Sequence, residues 1–218
     1  MTRRATALQH LKKADPYLHK ATLGHHTSLP AQLVAKRTSA ELFESLVSTV
    51  VSQQLGLAAA DAIFTRVKKV CGGRVTPESV LKVQPQTLRK AGLSSAKVKT
   101  LKAIVATVQN GELNLLSLKK ISEADAAERL IQIWGLGPWS VEMFLMFALG
   151  RADVFSPGDL GLARAMETLY ELPKNSPRET LIAISQKWSP HRTYASLLLW
   201  ATRDTRVGRD TRSEARRV

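Results

Sequence analysis

Apolar residues recur along this chain at intervals of three and four, the spacing of one face of an α-helix. Nowhere do they alternate with polar residues over the length of a strand. Leu42, Leu46, Val47 and Val50 follow Thr38-Ser39-Ala40-Glu41, a capping box in which threonine and glutamate satisfy each other's backbone amides. Leu57 to Val70 is Ala-rich and amphipathic, and stops at Cys71-Gly72-Gly73. Thr76-Pro77-Glu78 supplies an N-cap, a proline at the first helical position and an acid in the first turn. Pro85 to Lys90 reads as a short helix closed by Gly92. From Ser95 to Gln109, the residues Val98, Leu101, Ile104, Val105 and Val108 share a face, and Gly111 follows the end. Ser122 caps Glu123 to Trp134, and Pro138 opens a run to Leu149 that Gly150 stops. Leu160 to Tyr170 is helical in pattern. Ser176-Pro177-Arg178-Glu179 reads as a second capping box, opening a helix to about Trp188, and Pro190 opens the last helix, through Trp200. The pattern predicts an all-α chain of about ten helices on short connections.

Composition narrows the class. Of the 218 residues, 44% are hydrophobic, enough to build a core, so wholesale disorder is excluded. A single cysteine, Cys71, excludes an intramolecular disulfide, a four-cysteine zinc site and an iron–sulfur cluster. The longest strongly apolar run, Val141 to Leu149, contains Glu142 and is far too short to span a bilayer. No apolar stretch follows Met1-Thr2-Arg3-Arg4, so a secretory signal is not expected. The expectation is a soluble, intracellular, basic protein, in the cytoplasm or nucleoid if prokaryotic. Lysine and arginine number 32 against 18 acids, a net charge of +14 that points to a polyanion such as nucleic acid. Residues 62–102 hold ten Lys or Arg against Glu78 alone, and residues 1–38 hold seven against Asp15 alone. Any one such cluster is usually a solvated face, but three of one sign favour a phosphate-binding surface. The third is the segment 203–218, which has almost nothing apolar to bury and is expected to be a basic, disordered tail.

Candidate chemistry sits in Ile133-Trp134-Gly135-Leu136-Gly137-Pro138-Trp139-Ser140, a helix, a Gly-x-Gly hairpin and a new helix. Glycines allow the tight turn and close approach of the backbone to a ligand. The new helix presents unpaired amides and a positive dipole end, which suit a phosphate. An isolated Gly-x-Gly is more often an ordinary turn between helices. Twenty positions after Trp139, however, comes Ser156-Pro157-Gly158-Asp159, a rigid turn that delivers a carboxylate at the start of a helix. Asp159 reads as an N-cap, as a catalytic carboxylate, or as both.

With these pieces the chain resembles the helix-hairpin-helix DNA glycosylases, and within them the 3-methyladenine DNA glycosylase II type. The resemblance covers roughly residues 39–202. It rests on Ser52-Gln53-Gln54-Leu55, Gly92-Leu93-Ser94 with Lys97, Gly135-Leu136-Gly137, Pro157-Gly158-Asp159 and Trp188-Ser189-Pro190-His191-Arg192-Thr193-Tyr194-Ala195, in family order. It implies two helical lobes with the active site in the cleft between them. Residues 1–38 would pack with the C-terminal lobe, residues 39–150 would form the central lobe ending in the hairpin, and residues 151–202 would carry the aspartate loop and the C-terminal helices.

The implied activity is hydrolysis of the N-glycosidic bond of an alkylated base flipped out of double-stranded DNA, with Asp159 catalytic. Gln54 first, and Leu55 second, would fill the vacated stack. Trp139, Met143, Trp188 and His191 would line the base pocket, whereas Trp134 and Trp200 read as core. The amides of Gly135, Gly137 and Ser140 would face a phosphate. The carbonyls of Ile131, Ile133 and Leu136 would hold a structural monovalent cation, and no cofactor is required. Trp139 stands where bifunctional relatives carry a lysine, so no lyase activity is expected. Met143 and His191 stand at positions that are aromatic in relatives, which leaves lesion choice open. A monomer without membrane association is expected. The alternatives are a glycosylase of this fold for deaminated or mispaired bases, and a non-catalytic DNA-binding protein.

Overall fold

The structure, a computed structural model, describes residues 1–33 and 37–214. Among these residues it holds α-helices and short 3-10 turns and no strand. In chain order the helices are α1 (Arg3–Ala14), α2 (Pro16–Ala21), α3 (Ser39–Ser52), α4 (Leu57–Val70), α5 (Pro77–Lys82), α6 (Pro85–Lys90) and α7 (Ser95–Gln109). They are followed by α8 (Glu123–Ile131), α9 (Pro138–Phe147), α10 (Leu160–Leu169), α11 (Arg178–Gln186) and α12 (Arg192–Glu214). The chain divides into two units, one of residues 34–150 and one of residues 1–33 with 151–218.

In the unit of residues 34–150, α3 is the central element, packed against α4, α7 and α9. Its capping box forms as expected: the Glu41 amide donates to Thr38 Oγ1, and the Thr38 amide donates to the Glu41 carboxylate at 2.7 Å. Leu42, Leu46, Val47 and Val50, the stripe expected to face inward, are fully buried. Burial of each such side chain is worth about 1.5–3 kcal/mol against solvent, which is what ties the central helix to its neighbours. The face of α7 that carries Val98, Leu101, Ile104 and Val105 is buried as well, and α5 and α6 pack against that helix. Thr76 and Ser122 cap α5 and α8 through the amides of Ser79 and Asp125.

In the other unit, α10 packs on α12, and α1 packs on α2 and α12. Ala7, Leu11 and Leu18 from the N-terminal helices join Leu162, Met166, Trp188, Tyr194 and Leu198 in one core. Asp15, only 2% exposed, is its polar centre. It caps α2 through the Leu18 amide and accepts hydrogen bonds from Tyr170 Oη at 2.6 Å, Trp188 Nε1 at 2.8 Å and Lys187 Nζ at 3.0 Å. Burial pushes its carboxyl pKa up, but these donors together outweigh that and hold it below the usual value.

The structure corrects four expectations. The helix from Glu123 ends at Ile131 instead of Trp134, because the backbone turns into the hairpin there. The second capping box does not form. The Ser176 amide donates to the Glu167 carboxylate on α10, Ser176 Oγ donates to the Pro173 carbonyl, and Pro177 takes the N-cap position of α11 with no side-chain bond. That helix ends at Gln186, two residues short of Trp188. The segment from Arg203, expected to be disordered, continues α12 to Glu214, and residues 215–218 lie outside the described residues.

Candidate functional site

The hairpin between α8 and α9 is built by two short backbone bonds, from the Ile133 amide to the Leu130 carbonyl at 3.1 Å and from the Leu136 amide to the Ile133 carbonyl at 3.0 Å. Gly135 has φ +85°, and a Cβ there would lie 2.0 Å from Thr100 Oγ1 on α7. Both facts demand glycine. Gly137 is the N-cap of α9 at φ −89°, makes no side-chain cap bond, and has open space where a Cβ would stand. Gly135 is exposed and Gly137 half-buried. Ser140, whose amide is expected to face a phosphate with those of the two glycines, directs its side chain inward. It is only 2% exposed, and its Oγ accepts a hydrogen bond from Gln53 Nε2 at 2.8 Å.

Gln53 joins the hairpin to the turn that follows α3. Its Nε2 also reaches the Gly135 carbonyl at 3.0 Å. The next residue, Gln54, has φ +57°, a left-handed conformation that is uncommon outside glycine, and its side chain is exposed. Leu55 is 39% exposed, so it is not the core residue that an apolar side chain in a turn could have been. Lys97, the third residue of α7, donates to the carbonyls of Val51 and Gln53, each at 2.8 Å. Further along the same unit, Arg89, Lys99 and Lys102 line a groove of about 340 Å³ between α6 and α7. The Lys99 ammonium stands 4.1 Å from the centroid of the Trp134 ring. Trp134, expected in the core, is 46% exposed and forms part of this basic surface.

In the other unit, Asp159 closes a turn through its amide to the Ser156 carbonyl at 3.2 Å and becomes the N-cap of α10. Its Oδ1 accepts two hydrogen bonds, from the Leu162 amide at 2.8 Å and from Trp200 Nε1 at 3.0 Å. Trp200, expected in the core, does pack partly buried against the core of its unit, and its indole N–H is in addition spent on Asp159. Gly161 makes the arrangement fit: a Cβ there would come within 2.8 Å of Asp159 Oδ1, 3.1 Å of Trp200 Nε1 and 3.2 Å of Arg203 Nη1. The loop leading to Asp159 is clamped to the start of α12. Arg192 makes a two-pronged ion pair with Asp153 at 2.9 and 3.0 Å. Thr193 Oγ1 donates to the Arg151 carbonyl at 2.7 Å and accepts the Val154 amide at 3.1 Å. The Arg192-Thr193 part of the C-terminal motif thus serves to fix the aspartate loop.

Two of the four expected pocket residues are half-buried, and two are interior. Trp139 is half-buried in the first turn of α9, whereas Met143, one turn on, is 7% exposed and belongs to the apolar interior of its unit. His191 is half-buried, edge-on to His10 at 5.3 Å, and its Nδ1 is buried with no hydrogen-bond partner. Burial and the neighbouring His10 lower its pKa, against an opposing pull from Asp153. Trp188 is corrected. It has no exposed surface, it spends its indole N–H on Asp15, and it packs against Phe155 and Tyr170 at 5.7 and 6.5 Å, so it is core and not pocket wall.

A Gly-x-Gly hairpin at one helix N-terminus, a carboxylate at another and an all-α frame among the described residues fit the DNA glycosylase family that the sequence resembles. Comparison with known proteins agrees. The chain belongs to the HhH-GPD superfamily of base excision DNA repair proteins, whose model matches residues 47–190. It is 36% identical over 165 residues to DNA-3-methyladenine glycosylase 1 of Schizosaccharomyces pombe, covering 74% of this chain and 72% of that protein. Among solved structures it is similar to the Schizosaccharomyces pombe 3-methyladenine DNA glycosylase in complex with abasic DNA, with TM-score 0.79, 32% identity, and coverage of 90% of this chain and 96% of that one. It is likewise similar to the DNA-3-methyladenine glycosidase of Bacillus halodurans, with TM-score 0.74, 33% identity, and coverage of 92% and 90%. No helix among the described residues is long and apolar enough to cross a membrane.

Proposed function

We propose that this glycosylase removes N-alkylated purines of the 3-methyladenine type from double-stranded DNA by hydrolysis and leaves an intact abasic site. The observation that carries the reading is Asp159, a carboxylate set behind the Pro157-Gly158 turn and held on one oxygen by the Leu162 amide and the Trp200 indole. Loss of the base develops positive charge on the sugar, and a fixed carboxylate stabilises that charge and orients the attacking water. An N-alkylated purine is already cationic and leaves with little acid assistance. Its charge is attracted to an aromatic face such as that of Trp139.

The base is reached only by extrusion from the stack, at a cost of a few kcal/mol. Gln54 and Leu55, exposed on their turn, are the groups that fill the gap. The hairpin at Gly135 and Gly137 takes a phosphate, and the basic groove beside it adds non-specific attraction to the duplex. The carbonyls of Ile131, Ile133 and Leu136 would hold a monovalent cation. The fit is chemical: these are neutral carbonyl oxygens from the segment joining α8 to α9, which the Leu136 amide turns by bonding the Ile133 carbonyl at 3.0 Å. When bound, the cation would stiffen the hairpin and add positive charge behind it.

Release of methylated base from duplex DNA by the wild type, lost in Asp159→Asn, tests the activity. A panel of oligonucleotides with alkylated, deaminated and mispaired bases tests the substrate. Preference for a deaminated or mispaired base would replace the alkyl reading.

A further inference from the structure

Lys97 stands at the wrong end of its own helix. It is the third residue of α7, where the helix dipole disfavours a cation, and its amide is already used on the Ser94 cap at 3.2 Å. Its ammonium points away from α7 to a different helix end. The carbonyls it reaches are those of Val51 in the last turn of α3 and of Gln53 at its C-cap, where a helix leaves carbonyls unpaired and presents its negative pole. Lys97 therefore serves α3 and the turn beyond it. Its half-buried ammonium, with a pKa lowered by burial, is unlike the exposed lysines of the α6–α7 groove.

The turn it holds is Gln53-Gln54-Leu55. Gln54 at φ +57° is strained for a residue with a side chain, and the turn itself closes through a single bond from the Leu55 amide to the Ser52 carbonyl at 3.2 Å. Such a conformation persists only when its surroundings impose it. Two contacts do so. Lys97 grips the carbonyl before Gln54, and Gln53 reaches across to the Gly135 carbonyl and Ser140 Oγ of the hairpin. One turn further along α7, Thr100 abuts Gly135. A single helix thus fixes both the stack-filling turn and the phosphate-binding hairpin, so the distance between them is set before DNA arrives.

We propose that Lys97 is a positioning residue for base extrusion, holding Gln54 and Leu55 ready to enter the stack in register with the hairpin. The proposal rests on the reading of that turn as the stack-filling element. Ordering a loose turn at the moment of binding would draw on binding free energy, and a prefixed turn avoids that cost.

The test compares Lys97→Met with wild type and with Lys97→Arg. Single-turnover base release is measured from a methylated purine paired in duplex and from the same purine opposite an abasic site, where extrusion costs little. Lys97→Met is expected to slow the paired substrate about tenfold or more while changing the unpaired one by less than about twofold, with Lys97→Arg recovering most of the rate. Equal slowing on both substrates, or none on the paired one, overturns the proposal. Should Lys97→Met not fold, Gln53→Met carries the same comparison with the same split expected.

Amide hydrogen exchange gives a readout independent of base release. Residues 53–56 are expected to exchange about tenfold faster in Lys97→Met while residues 141–147 are unchanged. Unchanged exchange at the turn overturns the positioning role. A wild type that releases no alkylated base from either substrate refutes the proposed function instead, and the exchange measurement then still decides the role of Lys97.

Discussion

Two helices of this protein begin directly after turns that contain proline or glycine, and they treat their first amides in opposite ways. At α9 the N-cap is Gly137, which has no side chain to offer, so its helix N-terminus is set to receive a negative group from outside. At α10 the N-cap is Asp159, and the negative group is built in. The same local grammar thus yields a helix N-terminus with no acceptor of its own in one unit, proposed to take a phosphate, and a fixed carboxylate in the other. An aspartate at an N-cap is by itself an ordinary stabilising feature worth about 1 kcal/mol. What distinguishes Asp159 is the second donor on the same oxygen, Trp200 Nε1, together with a glycine at position 161 that lets indole and carboxylate close over the first turn.

The comparison breaks most sharply at Asp159. Asp159→Asn keeps an oxygen for the Leu162 amide, and asparagine caps helices as well as aspartate does, so fold and DNA affinity should hold. The charge is lost, and single-turnover base excision should fall by roughly 10²–10³, the usual cost of removing a group that stabilises transition-state charge. Wild-type-like excision by the variant would reduce Asp159 to a cap.

Gly137→Asp turns the hairpin into a copy of the other turn. On sequence grounds the substitution could be expected to distort the hairpin. Instead, φ at −89° and the empty space around the position admit a side chain without strain. The new carboxylate should cap α9 and raise stability by a few tenths of a kcal/mol. It should also occupy the phosphate's place and weaken binding to every duplex alike, about tenfold or more. Unchanged affinity for undamaged duplex in a folded variant would remove the hairpin from the binding surface.

Trp200→Phe sharpens the comparison with less force. It keeps an aromatic ring in place and deletes the N–H bond to Asp159. A hydrogen bond to a charged group is worth about 1.5–3 kcal/mol, so kcat should fall about tenfold or more, less than in Asp159→Asn, with little change in KM. A rise in KM with kcat unchanged would place Trp200 on the substrate and not on the carboxylate.

The tryptophans also show where sequence reading stops. The caps at Thr38, Thr76 and Ser122, the glycine stops and the all-α class were legible, because each depends on residues within a few positions of one another. The buried stripes of α3 and α7 were legible from their period. Trp188 was assigned to the pocket, and the indole bond of Trp200 to Asp159 was missed, because their partners are distant in the chain: Asp15 lies 173 positions from Trp188, and Asp159 lies 41 from Trp200. Trp188 lies among the polar residues Gln186, Lys187 and Ser189 and Trp200 ends the apolar run Leu197-Leu198-Leu199, and neither neighbourhood tells which carboxylate the indole will reach. The false capping box at Ser176 has the same cause, since Glu167 of α10 takes the amide that the motif would have used. Lys97 was legible as part of a motif, yet its acceptors on α3 were not, because nothing local marks which helix end a lysine will reach.

The smallest expected effect is none, and it tests what the hairpin lacks. Trp139 stands where bifunctional relatives carry their lysine, and an indole cannot form a Schiff base with the sugar. No lysine or arginine lies between Arg129 and Arg151, so the hairpin supplies no local substitute. Of the lysines in the same unit, Lys99 is engaged with the Trp134 ring at 4.1 Å. Burial lowers the pKa of Lys97, the direction that favours a nucleophilic amine, but its nitrogen is turned onto the Val51 and Gln53 carbonyls, each at 2.8 Å. Borohydride should therefore trap no protein–DNA adduct from wild type or from Lys97→Met, and strand breaks should appear only after separate alkali treatment. Efficient trapping by the wild type that disappears in Lys97→Met would make the residue proposed to position the turn a nucleophile as well, and would end the proposed division in which the hairpin only holds DNA and the Asp159 turn alone does the chemistry.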